Sequence, residues 1–462
     1  MIARFGAACA RWAERWVPHP FVFALLLNAV VLVAGLVALR DEGWAAPPRL
    51  LAGWYEGFWS KPLLAFGFQM ALILVTGYAV AEAPAVRRAL ARIAGLWRTP
   101  AQAAALVAFV SVALSWLHWG LGLVGGAFLA REVGLVARER SAPIPYPLIA
   151  ASAYVGFLSW HGGLSGSAPL VVAQASHPQA DLVGTVPIAR TILAVPNLLL
   201  LAGFLVALPL IMASMARRAP AEVPPPAPGD LAPEAPADER RTPAGRLGHS
   251  LAVALTALVP AALVLALVLA PGFAAGTRGF DLNVILFVFL FGALALHRSP
   301  LALSRSVGRG AAEAGGILLQ FPFYFAILGA MRASGLVAIL AQAGVDAALA
   351  LAGLGLPAGW AFETLTFLNA GLVNLFVPSG GGQWAVQGEI VLRAALDPAI
   401  GVDPARAVMA LAYGDAWTNM LQPFWALALL SITRTRAREI MGYTLAAMLL
   451  VFPLYLLVFA VA

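Results

Sequence analysis

Apolar runs of about 18–20 residues, long enough to cross a bilayer as helices, recur along this chain, and in each half two of them are interrupted. The first half carries Ser115-Trp-Leu-His-Trp-Gly120 and then Ser159-Trp-His-Gly-Gly-Leu-Ser-Gly-Ser167. The second carries Asn374-Leu-Phe-Val-Pro-Ser-Gly-Gly-Gly-Gln-Trp384 and then Asp415-Ala-Trp-Thr-Asn419. Backbone that leaves the helix inside a membrane exposes N–H and C=O groups that lipid cannot satisfy, so it survives only where it is buried in protein or lines a cavity. Paired interruptions in corresponding halves point to the binding site of a transporter.

Composition sets the class. Hydrophobic residues make up 61% of the 462 and charged residues 11%, against about 25% charged in a soluble domain. The one cysteine, Cys9, excludes a disulfide framework and a multi-cysteine metal site. The net charge of +7 is distributed as membrane orientation requires, and no nucleic-acid partner is expected. Near the N-terminus Phe5, Ala8, Cys9, Trp12 and Trp16 share one helical face and Arg4, Arg11 and Arg15 another. Residues 1–20 therefore read as an amphipathic segment on the bilayer surface, with a frayed start to the first span as the alternative.

Plain spans are expected near 21–39, 65–83, 189–214, 250–271, 281–297, 312–331 and 440–461, and broken spans near 145–175 and 404–432. The stretches 101–131 and 360–395 have Gly-rich centres that leave each half too short to cross, which predicts re-entrant hairpins. The Pro- and Ala-rich segment 215–249 reads as a flexible linker. The expected organisation is a surface segment (1–20), a first repeat (21–214), the cytoplasmic linker (215–249), a connecting helix (250–271) and a second repeat (281–462).

The repeats are visible as weak matches in one order. Asn28 with Arg40 resembles Asn283 with Arg298, Phe66-Gly-Phe68 resembles Phe321-Pro-Phe323, and Ala153-Tyr154 with Trp160 resembles Ala412-Tyr413 with Trp417. Five crossings between the two starts would invert the second copy. With the N-terminus cytoplasmic and the C-terminus periplasmic, the basic groups Arg87, Arg88, Arg92 and Arg98, then Arg217 and Arg218, then Arg434, Arg436 and Arg438 fall on the inside. The expected fold is an all-α polytopic membrane protein of two inverted-topology repeats, each with a re-entrant hairpin and a broken transmembrane helix.

A hairpin tip offers free amide N–H groups on one arm and free carbonyls on the other. Gly380, Gly381 and Gly382 let backbone approach a ligand, Ser379 adds a hydroxyl and Gln383 follows; tight helix packing through small residues is the bland alternative. Ser159, Gly163, Ser165 and Ser167 at the first break, and Thr418 and Gln422 at the second, are the other candidates for a small carboxylate. Trp160 and Trp417 read equally as cavity walls or core. Asp415, in the middle of an apolar segment, reads as a cation or proton site, or as a helix cap. With it, Ser115, His118, His161, Asn374 and Asn419 are candidates for a coupling ion or proton, with Na⁺ at Asn374, Asp415 and Asn419. Glu313 and Glu363, at segment starts, read as interfacial. Gly120-Leu-Gly-Leu-Val-Gly125 fits G-x-G-x-x-G but lacks the preceding strand and soluble βαβ unit of a dinucleotide site. No Walker motif, zinc-protease motif or nucleophile elbow occurs, so ATP-driven pumping and enzymatic activity are not expected.

These residues resemble the short-chain fatty acid transporter family, the AtoE-like proteins, over almost the whole chain. The carrying motifs are Phe66-Gly-Phe-Gln-Met-Ala-Leu, His118-Trp-Gly-Leu-Gly-Leu-Val, Gly163-Leu-Ser-Gly-Ser, Val377-Pro-Ser-Gly-Gly-Gly-Gln-Trp, Ala412-Tyr-Gly-Asp and Asn419-Met-Leu-Gln-Pro-Phe-Trp-Ala. The resemblance implies import of short monocarboxylates such as acetoacetate or butyrate across a bacterial inner membrane. Through the ion transporter superfamily it also implies inverted repeats, re-entrant hairpins, a homodimer and elevator-like alternating access. The chain departs from the pattern at His118, His161 and Gln383, where the family pattern has Asn, Gly and His, and at Asp415, where it has Glu. The expected function is secondary active symport of a small monocarboxylate, with no cofactor and with Na⁺ or H⁺ as coupling ion. The rival reading is a passive channel for small anions.

Overall fold

The computed structural model describes residues 20–174, 177, 179–223, 242–275, 282–375, 380–422 and 425–461. The expected surface segment lies outside them up to Pro20. Among the described residues regular structure is helical, apart from one isolated bridge between Ile144 and Glu222. The first half runs α1 (Pro20–Ala38), α2 (Ala46–Phe58), α3 (Lys61–Glu82), α4 (Pro84–Ala94), α5 (Pro100–Leu117), α6 (Trp119–Glu139), α7 (Tyr146–Val155), α8 (Ser167–Val172) and α9 (Val195–Ala216). A connecting helix begins at α10 (Pro243–Gly248) and continues through α11 (Leu251–Val264) to Phe273. The second half runs α12 (Leu282–His297), α13 (Pro300–Glu313), α14 (Gly315–Ala333), α15 (Leu336–Gly353), α16 (Ala358–Asn374), α17 (Gly380–Ala395), α18 (Pro404–Thr418), α19 (Leu427–Thr433) and α20 (Ala437–Val461).

Nine of these helices fall in each half, and the two halves pack against each other. Helix α2 packs on α14 and α13 on α3; α1 packs on α14 and α12 on α3; α8 packs on α17 and α18, and α19 on α6 and α7. Helices α9 and α20 pack on each other. The first three helices of each half pack together, as do the hairpins, broken helices and last helices, and the two groups are joined where α3 packs closely on α6. Helices α2 and α14 cross at glycines. A Cβ on Gly57 would lie 2.8 Å from Gly329 Cα and collide with Phe325 O, and one on Gly329 would collide with Gly53 O. Small residues four apart let helix backbones approach where lipid removes the hydrophobic drive to associate. Large apolar side chains such as Val33, Val37, Leu210 and Leu267 remain exposed, as a lipid-facing surface requires.

Several expectations are corrected. The arms of the first hairpin, α5 and α6, have 18 and 21 residues and are each long enough to cross a membrane. What makes them a hairpin is packing side by side about the single non-helical residue His118. The span expected at 312–331 is α13 joined to α14 at a 48° bend. The linker ends earlier than expected, because Thr242 caps α10 by accepting from Gly245 N–H. Helices α2, α4, α13 and α15 were not anticipated; α2, α4 and α13 are too polar to register as apolar runs. The second break lies later than Asp415–Asn419, because α18 is unbroken to Thr418 and a 3₁₀ turn follows over Asn419–Leu421.

Candidate functional site

The first break begins where α7 tightens to a 3₁₀ turn over Gly156–Ser159 and then leaves helical geometry until Ser167. It is fastened to the tip of the first hairpin. Ser159 Oγ donates to Val112 O at 2.9 Å, Leu164 N–H donates to Trp116 O at 2.8 Å, and Trp119 N–H donates to Ser165 Oγ at 2.9 Å. Gly163 is required here, since a Cβ would sit 2.8 Å from Trp116 Cα. Ser159 and Ser165, expected at the substrate, are bonded to the first hairpin, and Ser167 lies beside Gly380 of the second half.

That meeting is a buried pair. His161 Nδ1 lies 2.6 Å from Asp415 Oδ2, with the side chains 0% and 1% exposed. Ala168 N–H donates to His161 Nε2 at 3.0 Å, and Ser167 Oγ lies 3.1 Å from the same atom. A backbone N–H has only hydrogen to offer, so Nε2 presents its lone pair and the ring proton resides on Nδ1, directed at the Asp415 carboxylate. The Trp160 ring stacks on the imidazole at 4.3 Å. Gly380, the first residue of α17, lies against the pair. A Cβ at Gly380 would stand 2.5 Å from His161 Cε1 and 2.6 Å from Ser167 Oγ. Gly381 and Gly382 follow in the first turn of α17, while Ser379 lies outside the described residues.

Asp415 is in the last turn of α18, where a carboxylate faces the negative end of the helix dipole. It caps no helix start, and its partner is the histidine. Around it the end of α16 is capped by side chains. Thr418 Oγ1 donates to Gly371 O at 3.0 Å, Gln383 Nε2 to Ala370 O at 2.7 Å, and Gln422 Nε2 to Asn374 O. Asn374 Nδ2 in turn donates to Asp415 O at 2.8 Å, Thr418 Oγ1 at 3.0 Å and Asn419 Oδ1 at 2.8 Å. Of the side-chain oxygens expected to hold Na⁺, Asp415 Oδ2 faces His161 and Asn419 Oδ1 accepts from Asn374. Asn374 Oδ1, Gln383 Oε1, Gln422 Oε1 and Asn419 Nδ2 are buried without a partner, as are Ser115 Oγ and His118 Nε2. Native structures leave few such groups, and a cluster of them at one place calls for a ligand or ordered water.

His118 goes elsewhere. Its Nδ1 accepts from Leu121 N–H at 3.2 Å, which leaves the proton on Nε2, and its ring lies 3.7 Å from that of Phe289. Trp417 is core, packed on Phe367 and Phe452 with its indole N–H donating to Met448 O. Glu363 is not interfacial: it is buried and takes both Nε and Nη2 of Arg406.

Three residues missed as functional brace the breaks. Tyr154 O–H lies 2.9 Å from Asn419 O and 3.0 Å from Gln422 O, across the halves. Its counterpart Tyr413 donates to Asn197 Oδ1 at 3.0 Å, and Asn197 Nδ2 donates to Gly162 O at 2.7 Å and Ile192 O at 2.6 Å. A lone Asn near the start of the otherwise apolar α9 was the available signal.

Apolar helices with two breaks that bring a buried ionisable pair together define a multi-pass membrane transport protein. The description of a short chain fatty acid transporter matches residues 1–462. A relative from Escherichia coli K12, provisionally named short-chain fatty acid transporter, is 37% identical over 97% of both chains. A Haemophilus influenzae protein of the same provisional name is 34% identical over 99% of both. The chain belongs to the short-chain fatty acid transporter family, whose members are transporters and not enzymes. The solved YdaH transporter of Alcanivorax borkumensis aligns over 96% of this chain and 97% of its own, with a TM-score of 0.46 at 20% identity.

Proposed function

We propose that this chain is a secondary carrier that imports a short monocarboxylate, of acetoacetate or butyrate size, across a bacterial inner membrane with a coupling cation. The observation that carries the reading is the His161–Asp415 bond, because it joins the first break to the last turn of α18 at one buried point beside Gly380. The carboxylate is held by Ser167 and the tip at Ser379–Gly382, and Asp415 with its surroundings answers to Na⁺ or H⁺. Substrate can drive a cycle only if it binds the two open states differently. A site built between two halves provides this, since moving one element past another remakes it. The packing between the halves supports two repeats, and the basic loops support inversion of the second with the N-terminus cytoplasmic and the C-terminus periplasmic. The division into two groups supports elevator-like movement of α5–α9 with α16–α20 against α1–α3 with α12–α14. The family resemblance is the ground for a homodimer.

The test is uptake of labelled butyrate by proteoliposomes, with Na⁺ and pH gradients imposed separately and protein-free vesicles as background. Saturable uptake with counterflow is expected. Conductance far above carrier turnover, without counterflow, establishes the channel instead.

A further inference from the structure

We propose that the crossing of α9 and α20 binds one phospholipid with a phosphoethanolamine headgroup. Its acyl chain lies in the groove between the two helices, its phosphate on Arg190 and its ammonium on Asp403. This site is separate from the His161–Asp415 pair and does not depend on the carrier reading.

Three cavities run together here. The first is an apolar groove of about 190 Å³ at the crossing, lined by Leu199, Gly203, Leu454 and Leu457 among others. Gly203 opens it, since a Cβ there would stand 3.4 Å from Leu454 Cδ1. Leu199, Leu457 and Val461 are exposed along it. Pro196 and Val458 line both this groove and a polar cavity of about 30 Å³. Arg406 and Phe459 line both that cavity and an outer cleft of about 470 Å³. An acyl chain fits the groove, and the cleft beyond it takes what is polar.

Charge chooses the headgroup. The charged side chains lining these cavities are Arg190, Arg406, Glu363 and Asp403, two of each sign. Arg406 is committed to Glu363 and to Phe459 O. Arg190 and Asp403 pair at 2.8 Å, with side chains 51% and 43% exposed. An exposed ion pair holds weakly, so it opens to a better partner at little cost. Arg190 spends Nη2 on Asp403, and a guanidinium has five N–H donors in a planar fork that matches phosphate. Asp403 offers its carboxylate oxygens to an ammonium beside it. A headgroup with one charge of each sign leaves the balance of the site unchanged. An anionic headgroup would leave a surplus negative charge, and a quaternary ammonium has no N–H to give the carboxylate.

Depth agrees with a lipid. Arg190 comes just before α9 begins, Asp403 caps the start of α18, and α20 finishes at Val461. The ion pair therefore stands at the end of the long apolar helices and the groove lies along them. Trp360, whose indole N–H donates to Leu456 O, lines the outer cleft, and tryptophan gathers at the headgroup level of a bilayer. In the cavity between groove and cleft, Thr191 carries a buried hydroxyl without a protein partner, a place for a polar atom of the ligand. Asn197 and Tyr413, which brace Gly162, line the same cavity, so an occupied groove bears on the first break.

The experiment is native mass spectrometry of the purified full-length protein, stripped of lipid in detergent. It is titrated with phosphatidylethanolamine, phosphatidylcholine and phosphatidylglycerol of the same acyl chains, and binding of the first lipid is measured. Phosphatidylethanolamine should bind about tenfold or more tightly than either of the others, the worth of one hydrogen bond to a charged group. Asp403→Asn keeps a side chain that caps α18 and should bind phosphatidylglycerol as tightly as phosphatidylethanolamine. Gly203→Leu, which fills the groove, should weaken all three by a similar factor. Equal binding of the three lipids by the wild type, an unchanged ethanolamine preference in Asp403→Asn, or unchanged binding in Gly203→Leu overturns the proposal. Glycerophosphoethanolamine, which has the headgroup and no chains, should not compete at concentrations at which the lipid saturates. Competition there shows a polar site without the groove and overturns the lipid assignment. Where Asp403→Asn fails to fold, N-methylated phosphatidylethanolamines decide on the wild type. Affinity should fall as N–H groups are lost, and affinity independent of methylation overturns the proposal.

Discussion

Tyr154 places its hydroxyl 2.9 Å from the carbonyl of Asn419, so a side chain of the first half holds the backbone break of the second. Tyr413, at the corresponding place in the second half, returns the arrangement through Asn197 to Gly162. Tyr154→Phe removes the hydroxyl from Gln422 O, while Asn419 O keeps Gln422 N–H, and Tyr413→Phe removes the donor to Asn197 Oδ1; each loss is about 1–3 kcal/mol. Each variant should insert normally but lower the butyrate uptake rate, with a reduced midpoint in thermal unfolding in detergent. Wild-type uptake in both would show that the braces do not position the breaks.

Gly380 is tested by bulk. A Cβ would meet His161 Cε1 at 2.5 Å and Ser167 Oγ at 2.6 Å, and neither neighbour is at the end of a flexible chain. Gly380→Ala should therefore impair uptake, and Gly380→Val should abolish it, with overpacking strain of about 1–3 kcal/mol. Expression and membrane insertion should be unchanged. Uptake equal to wild type in the valine variant would place the substrate elsewhere.

The glycine crossing of α2 and α14 is structural. Gly57→Leu or Gly329→Leu must push the helices apart at a backbone-to-backbone contact. Both should aggregate on size-exclusion chromatography after heating to temperatures at which the wild type stays monodisperse. Gly308, beside which there is open space, is the control, and Gly308→Ala should behave as wild type.

Inversion of the repeats is open to a direct chemical check. Thr99, the N-cap of the first hairpin, and Leu396, just beyond the second, are replaced singly by cysteine in a Cys9→Ser background. An impermeant thiol reagent should label them from opposite sides of the membrane. Labelling of both from one side rules out the inverted arrangement.

Hydrophobic length and composition by themselves determined that this chain is a multi-pass helical membrane protein, where most of its apolar helices lie, and where helices are interrupted. Those are local properties: a helix in lipid satisfies its own backbone, so Gly, Ser and Asn inside an apolar run mark where it cannot. Local pattern did not reveal that the arms of the first hairpin are each long enough to cross, because a single residue, His118, makes the break. Nor did it reveal which polar residues meet. His161 and Asp415 were read as rival carriers of one proton, and the fold joins them in one hydrogen bond across 254 residues of chain. Glu363 looked interfacial until Arg406 was brought against it, and the partners of Ser159 and Ser165 on the first hairpin were not visible in the sequence. Partner choice among buried polar groups is set by which helices pack together. Each group must be satisfied by whatever the tertiary structure brings within about 3 Å, and that distance is not written in the order of the residues.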